Sequence, residues 1–224
     1  MTTVVSPAQL QAEGVPVFHT FQEPGDFIIT FPQAYHMGFS HGFNMAEAAN
    51  FALPDWLPFG RRAVERYHVT ASMRPSCFSH DQLLCNLARH CAAYSTFDCA
   101  TIAEELRHAI AAERKVRAAV AADGITVSVH LPNEGDPRYE CTRCRQICYL
   151  SAVVCRCSTG TKRPVSCLRH HRYLCTCPPS YHILVYWYRM ADLEKLLDGV
   201  MHVVSMRREL RPAAAAAAAS TTTA

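Results

Sequence analysis

The sequence predicts an α+β protein that runs from short strands through a helical region to a two-zinc Cys/His module and a C-terminal helix. Residues 27–31 and 181–188 read as strands, rich in β-branched and aromatic side chains. Ile102, Leu106, Ala109, Ile110, Val116 and Val120 recur at helical intervals. Eight of the twelve cysteines fall between Cys141 and Cys177, most of them in pairs one or two residues apart.

Length and composition set the frame. With 224 residues, half of them apolar, the chain can bury one good core or two small ones. The balance of 22 Lys plus Arg against 19 Asp plus Glu gives a net charge of +3, too small to argue for nucleic acid or an anionic membrane. The first residues carry no basic stretch followed by an apolar run, and no apolar run approaches the roughly 18 residues of a membrane span. The expectation is a soluble, non-secreted protein with no membrane partner. In a reducing compartment disulfides do not persist, so clustered cysteines point to metal. The four outside the cluster, Cys77, Cys85, Cys91 and Cys99, read as small core residues.

Residues 15–18 and 27–31 are expected as strands separated by a turn at Glu23-Pro24-Gly25-Asp26, and residues 35–44 as two short strands around a bend. Residues 56–67 have the alternation of a short helix. Thr101-Ile102-Ala103-Glu104 has the spacing of a capping box, opening a helix of about 20 residues that Gly124 stops. Its exposed side is expected to carry Glu105, Arg107, Arg114 and Arg117. A polar linker at 132–137 leads into the Cys-rich segment. After it, Leu193, Leu196, Leu197, Val200 and Val204 mark a final amphipathic helix, and the alanine-rich 210–224 reads as a disordered tail that can extend that helix by a turn or two. The resulting division is 1–53, a helical region at 54–126, a zinc module at 137–190, a helix at 191–209 and the tail.

The zinc donors come as Cys141-x2-Cys144, Cys155-x-Cys157, Cys167-x2-His170 and Cys175-x-Cys177. A tetrahedral zinc needs four nitrogen or sulfur donors, and one tight turn can present two of them, so eight donors suit two ions. Spacing alone does not decide which pairs share an ion. Alternation, common in cross-braced modules, groups Cys141, Cys144, Cys167 and His170 against Cys155, Cys157, Cys175 and Cys177. His171 competes with His170, while Cys148 among Ile147, Tyr149 and Leu150 reads as a buried thiol. Seven basic residues (Arg143, Arg145, Arg156, Lys162, Arg163, Arg169, Arg172) face one acid, Glu140. A three-thiolate site carries −1 and a four-thiolate site −2, which cuts the excess of about +6 to about +3 and leaves room only for weak nucleic-acid contact.

Residues 27–32 (Phe-Ile-Ile-Thr-Phe-Pro), Tyr35-His36-Met37-Gly38-Phe39, Gly42-Phe43-Asn44, Ala46-Glu47-Ala48 and Asn50-Phe51 resemble the last strands of a JmjC domain. Asp55-Trp56-Leu57-Pro58, Gly60-Arg61 and Phe78-Ser79-His80-Asp81 continue the likeness. The Cys-rich segment resembles the zinc finger that follows JmjC in histone demethylases of the JARID branch, which act on lysine 4 of histone H3. The resemblance implies a partial, cupin-like jelly roll in the first 53 residues. It also implies iron(II) and 2-oxoglutarate as cofactors, the histone H3 tail and chromatin as partners, and the nucleus as location. His36 matches the family's last iron ligand. Ser40 stands at a position of cosubstrate or substrate contact where the branch usually has Asn, and Ala48 and Asn50 match positions lining the methyl-lysine pocket.

One departure matters. The family's other iron ligands form a His-x-Glu or His-x-Asp pair upstream of the last histidine, and no histidine here has an acid two residues later. The expectation is therefore the C-terminal portion of a demethylase, inactive as this isolated chain. The alternative is a non-catalytic zinc-binding scaffold of chromatin or protein interaction.

Overall fold

The computed structural model describes residues 5–70, 75–131, 139–157 and 164–220. The expected linker at 132–137 lies outside them, as do Lys162 and Arg163. The chain divides into two units, Met1–Glu47 and Ala48–Ala224.

The first unit holds one short helix, α1 (Pro7–Ala12), where the Ser6 hydroxyl accepts from the Gln9 amide at 3.2 Å. The turn at 23–26 forms, with the Asp26 amide bonded to the Glu23 carbonyl at 3.0 Å and Gly25 at φ +96°. The strands expected at 15–18, 27–31 and 35–44 do not: no described residue between 5 and 53 belongs to a strand. A strand satisfies its backbone only through a neighbour, and among the described residues no segment pairs with these. Their apolar side chains accordingly stay bare, Phe27 at 91% and Phe39 at 81% exposure.

The second unit is mixed helix and sheet. A 3-10 turn at Pro54–Trp56 leads into α2 (Leu57–Thr70), Pro54 supplying the fixed φ that starts a helix. Helix α3 (His80–Arg89) is capped by Ser79, and the His80 ring bonds the Leu57 carbonyl at 3.1 Å, tying the two helices. Gly60 lies where they meet. A β-carbon there would come within 2.5 Å of the Trp56 ring and 2.7 Å of the His80 ring. Gly60→Ala should therefore destabilise the unit by about 1–3 kcal/mol despite alanine's better helix propensity, read as a lower urea midpoint.

Helix α4 (Thr96–Ala122) is longer than expected at its start. Its capping box is Ser95 with Asp98, not Thr101 with Glu104, because the Ser95 hydroxyl and Asp98 carboxylate reciprocally satisfy the first-turn amides. Gly124, at φ +86°, follows its end. Its buried face carries Cys99, Ile102, Leu106, Ile110 and Val120. Two acids sit on that face as well, correcting the expected exposure of Glu105, and Arg117, also expected on the exposed side, is largely covered at 14% side-chain exposure. Glu105 is buried and accepts from Arg61 of α2 at 2.9 Å, and Glu113 accepts from Arg117 at 2.7 Å. A buried carboxylate is tolerable when a guanidinium neutralises it.

Four strands, β1 (Ser128–His130), β2 (Ser151–Cys155), β3 (Val165–Ser166) and β4 (His182–Tyr186), form a sheet in the order β1-β4-β2-β3. Only β4 was expected. The β1–β4 pair is parallel, and β4–β2 and β2–β3 are antiparallel. β2 is buried at every residue, so it has no polar-apolar alternation to read. Helix α5 (Met190–Ser220) packs along α4 through Leu193, Val200 and Val204. It runs beyond the expected 191–209: the supposed tail is helical to Ser220, in keeping with alanine as the strongest helix former. Cys85, Cys91 and Cys99 are core residues as expected, whereas Cys77 is exposed.

Candidate metal centres

Four local structures deliver the paired donors. Cys141 and Cys144 flank a tight loop closed by the Cys141 amide on the Gln146 carbonyl (2.9 Å) and the Arg145 amide on the Cys141 carbonyl (2.9 Å), with Arg145 in the left-handed region at φ +62°. Cys155 ends β2 and Cys157 follows it. Cys167 caps the 3-10 segment Leu168–Tyr173, so the Cys167 carbonyl accepts from the His170 amide at 3.0 Å and both side chains face one point. Cys175 and Cys177 lie in the loop between that segment and β4.

The structure brings these into two groups, and among the described residues the donors of the first that all lie within 4.8 Å of one another are His68, Cys144, Cys167 and His170, with Cys141 beside them. In one, Cys141 Sγ is 3.7 Å and Cys167 Sγ 3.3 Å from His170 Nδ1, and Cys144 Sγ is 3.9 Å from Cys167 Sγ. In the other, the sulfurs of Cys155, Cys157, Cys175 and Cys177 all lie within 4.8 Å of one another. A tetrahedral zinc with bonds of about 2.3 Å to sulfur and about 2.0 Å to nitrogen spaces its donors roughly 3.5–3.8 Å apart, and the three approaches in the first group are close to that spacing. Hydrogen bonds from Cys144 and Cys167 draw the Cys141 thiol well below its ordinary value, and the bond to Cys141 pushes Cys144 up to about 11. Thiols brought this close form a site where a dication can displace their protons. Burial pushes Cys155 up to about 12.

The near neighbours sort themselves. His171 turns away from the first group and bonds Asp123, just past α4, at 2.6 Å from Nε2, with Nδ1 2.6 Å from the Leu168 carbonyl. Arg172 joins through two bonds to the same carboxylate, at 2.5 and 2.7 Å. Cys148 is buried, and its thiol is raised by burial. His68 of α2 is a donor that spacing could not reveal: its Nδ1 lies 3.4 Å from Cys144 Sγ, across 76 residues. Burial, with Arg169 and His170 nearby, lowers His68 to about 4. Beside this group a cavity of about 300 Å³ opens between α2, α3, α4 and the Cys-rich segment, lined by Arg61, His80, Asp81, Glu105 and Glu113.

Hydrogen bonds from Arg172 and His171 hold the Asp123 carboxyl well below the ordinary carboxylate range. A depressed acid stabilises the fold above its unfolded value and loses that contribution as pH falls through its folded one. Asp123→Asn should thus speed amide exchange at the α4 C-terminus and in Leu168–Tyr173 at pH 7. A carbon-detected NMR titration should place the wild-type Asp123 inflection below 3.8.

The residues matched to an iron site are less assembled. His36 is exposed, its Nδ1 3.1 Å from the Ala34 carbonyl, and Ser40 accepts a bond from Asn44 at 3.3 Å. Ala48 and Asn50, in the second unit, are exposed and in no regular element. Among the described residues, His36 is in no group of three or more side chains able to hold a metal.

Three family profiles match successive parts of the chain. The profile "JmjC domain, hydroxylase" matches residues 1–51, "Lysine-specific demethylase 5, C-terminal helical domain" residues 55–111, and "C5HC2 zinc finger" residues 141–196. Lysine-specific demethylase 5B of Gallus gallus is 37% identical over 89% of this chain and 13% of its own length. Lysine-specific demethylase JMJ17 of Arabidopsis thaliana is 37% identical over 89% of this chain and 17% of its own. Lysine-specific demethylase 5D of Pan troglodytes is 36% identical over 93% of this chain and 13% of its own. The chain thus spans a small fraction of these relatives. A JmjC domain implies iron(II) and 2-oxoglutarate, and a C5HC2 finger implies zinc. No described helix is long and apolar enough to cross a membrane. The chain belongs to the lysine-specific demethylase 5 type of JmjC protein, carrying a JmjC segment, that family's helical domain and its C5HC2 zinc finger.

Proposed function

We propose that this chain is the zinc-braced part of an iron(II)- and 2-oxoglutarate-dependent demethylase of methylated lysine 4 of histone H3, working on chromatin in the nucleus. The observation that carries it is the sequence of JmjC segment, helical domain and zinc finger along one chain at 37% identity to a named demethylase. Two zinc ions are held, one by Cys141, Cys144, Cys167 and His170, the other by Cys155, Cys157, Cys175 and Cys177. The support is the spacing of the first donor group and the mutual approach of the second.

Zinc supplies no chemistry to the reaction in this arrangement. It fixes the finger, which anchors α4 through Glu113 and Asp123. His36 is one ligand to iron, which when bound supplies oxidative hydroxylation of the N-methyl group. Ser40 contacts cosubstrate or substrate, and Ala48 and Asn50 line the methyl-lysine pocket. One histidine without a His-x-Glu partner does not hold iron, so the isolated chain does not demethylate.

Metal analysis of the purified chain should find two zinc and no iron per molecule. Co-expression with a JmjC segment bearing His-x-Glu should yield iron binding and demethylation of a trimethyl-lysine-4 H3 peptide, abolished by His36→Ala. A complemented protein that binds iron without His36, or a stable chain that never associates with such a segment, would sink the demethylase reading in favour of a scaffold.

A further inference from the structure

Each donor group is accompanied by a fifth group, in both cases a histidine nitrogen resting on a cysteine sulfur. His68 Nδ1 lies 3.4 Å from Cys144 Sγ, and His182 Nε2 lies 3.2 Å from Cys175 Sγ. Neither belongs to the paired-donor pattern. His68 comes from α2, its ring edge-on to His170 with centroids 6.0 Å apart. His182 opens β4 and is buried.

The paired cysteines fill all four positions at the second ion without His182. At the first, His68 stands within 4.8 Å of Cys144, Cys167 and His170 and competes with Cys141, and with Cys141 as the fourth ligand the chemistry left to each histidine is hydrogen bonding. The first site carries −1 and the second −2 once zinc is bound, and that surplus charge rests on sulfurs that are partly or wholly buried. A ring N–H aimed at such a sulfur offsets the charge and occupies a lone pair that an electrophile would otherwise attack. We propose that His68 and His182 are positioning residues that donate N–H bonds to the Cys144 and Cys175 thiolates, slowing oxidation and zinc loss at each site. Through His68, the same bond ties α2 to the finger.

The proposal rests on the two-zinc reading, and one preparation separates the two. Zinc content is measured first: fewer than two per chain overturns both. With two zinc present, long-range ¹⁵N–¹H NMR of the wild-type rings should show a protonated Nδ1 on His68 and a protonated Nε2 on His182. A metal-bound or bare nitrogen facing either sulfur overturns the donor role without any variant having to fold. Zinc release during treatment with N-ethylmaleimide or hydrogen peroxide, followed with a chromogenic chelator, then reads the consequence. His68→Phe and His182→Phe should keep two zinc but release one of them about tenfold faster, with Cys144 or Cys175 modified first. His68→Gln and His182→Gln, which retain an N–H, should restore slow release. Unchanged release in the Phe variants, or loss of a full zinc equivalent from them, would refute it, the latter by making the histidine a ligand.

Discussion

Removing zinc from the purified chain is expected to unfold the sheet and finger together. The finger brings little of its own to replace the metal. β3 has two residues, β2 has five, and the smaller core cluster consists of Val120, Ile125, Val153, Cys155, Leu168 and Leu174. One of those six is itself a zinc donor in the proposed arrangement. Structural zinc contributes about 10–16 kcal/mol of apparent binding energy at neutral pH, as large as the whole stability of an ordinary domain. Chelation should therefore abolish amide protection in Ser151–Cys155 and His182–Tyr186 and collapse the near-ultraviolet signal of buried Trp187. Much of the helical signal of α4 and α5 should remain, because Leu106, Ile110, Leu193 and Val200 pack without metal. Unchanged exchange in those two strands after complete zinc removal would contradict the structural role.

The second large effect is expected at Arg117. Its Nε donates to Glu113 at 2.7 Å, its Nη2 to the Tyr188 carbonyl at 2.9 Å, and its guanidinium lies 5.1 Å from the Tyr186 ring centroid. Glu113 also accepts from the Ser151 hydroxyl of β2 at 2.5 Å, so one ion pair joins α4 to the sheet. Both side chains are largely buried, at 14% and 10% exposure. Arg117→Met strands a carboxylate there and should cost about 3–5 kcal/mol in urea unfolding of the zinc-loaded chain. Adding Glu113→Gln should recover part of the loss, since the uncompensated charge is the larger share of the penalty. A single variant within about 0.5 kcal/mol of wild type would show that water reaches the pair and the burial is not maintained.

The features legible in the sequence are those set by a few residues of chain. The spacing of Cys141-x2-Cys144 and Cys167-x2-His170, the buried stripe of α4, the glycine after it and the apolar neighbours of Cys148 all follow from local geometry. Strand prediction succeeded at β4 and failed at β2 because a strand buried on both faces shows no period, and it failed between residues 15 and 44 for the opposite reason. There the pattern is present, but a strand exists only where a second one completes its hydrogen bonds.

The sequence by itself pointed to the family and to the order of helix and Cys-rich segment along the chain. Tertiary structure alone decided which side chains meet. It sent His171 to Asp123 and left His170 to the donor group, buried Glu105 and Glu113 against arginines, and carried His68 across 76 residues to Cys144. Short spacings are fixed by covalent geometry and so can be read from neighbours. Long-range meetings are fixed by how helices and sheet pack to exclude water, and no local pattern encodes them.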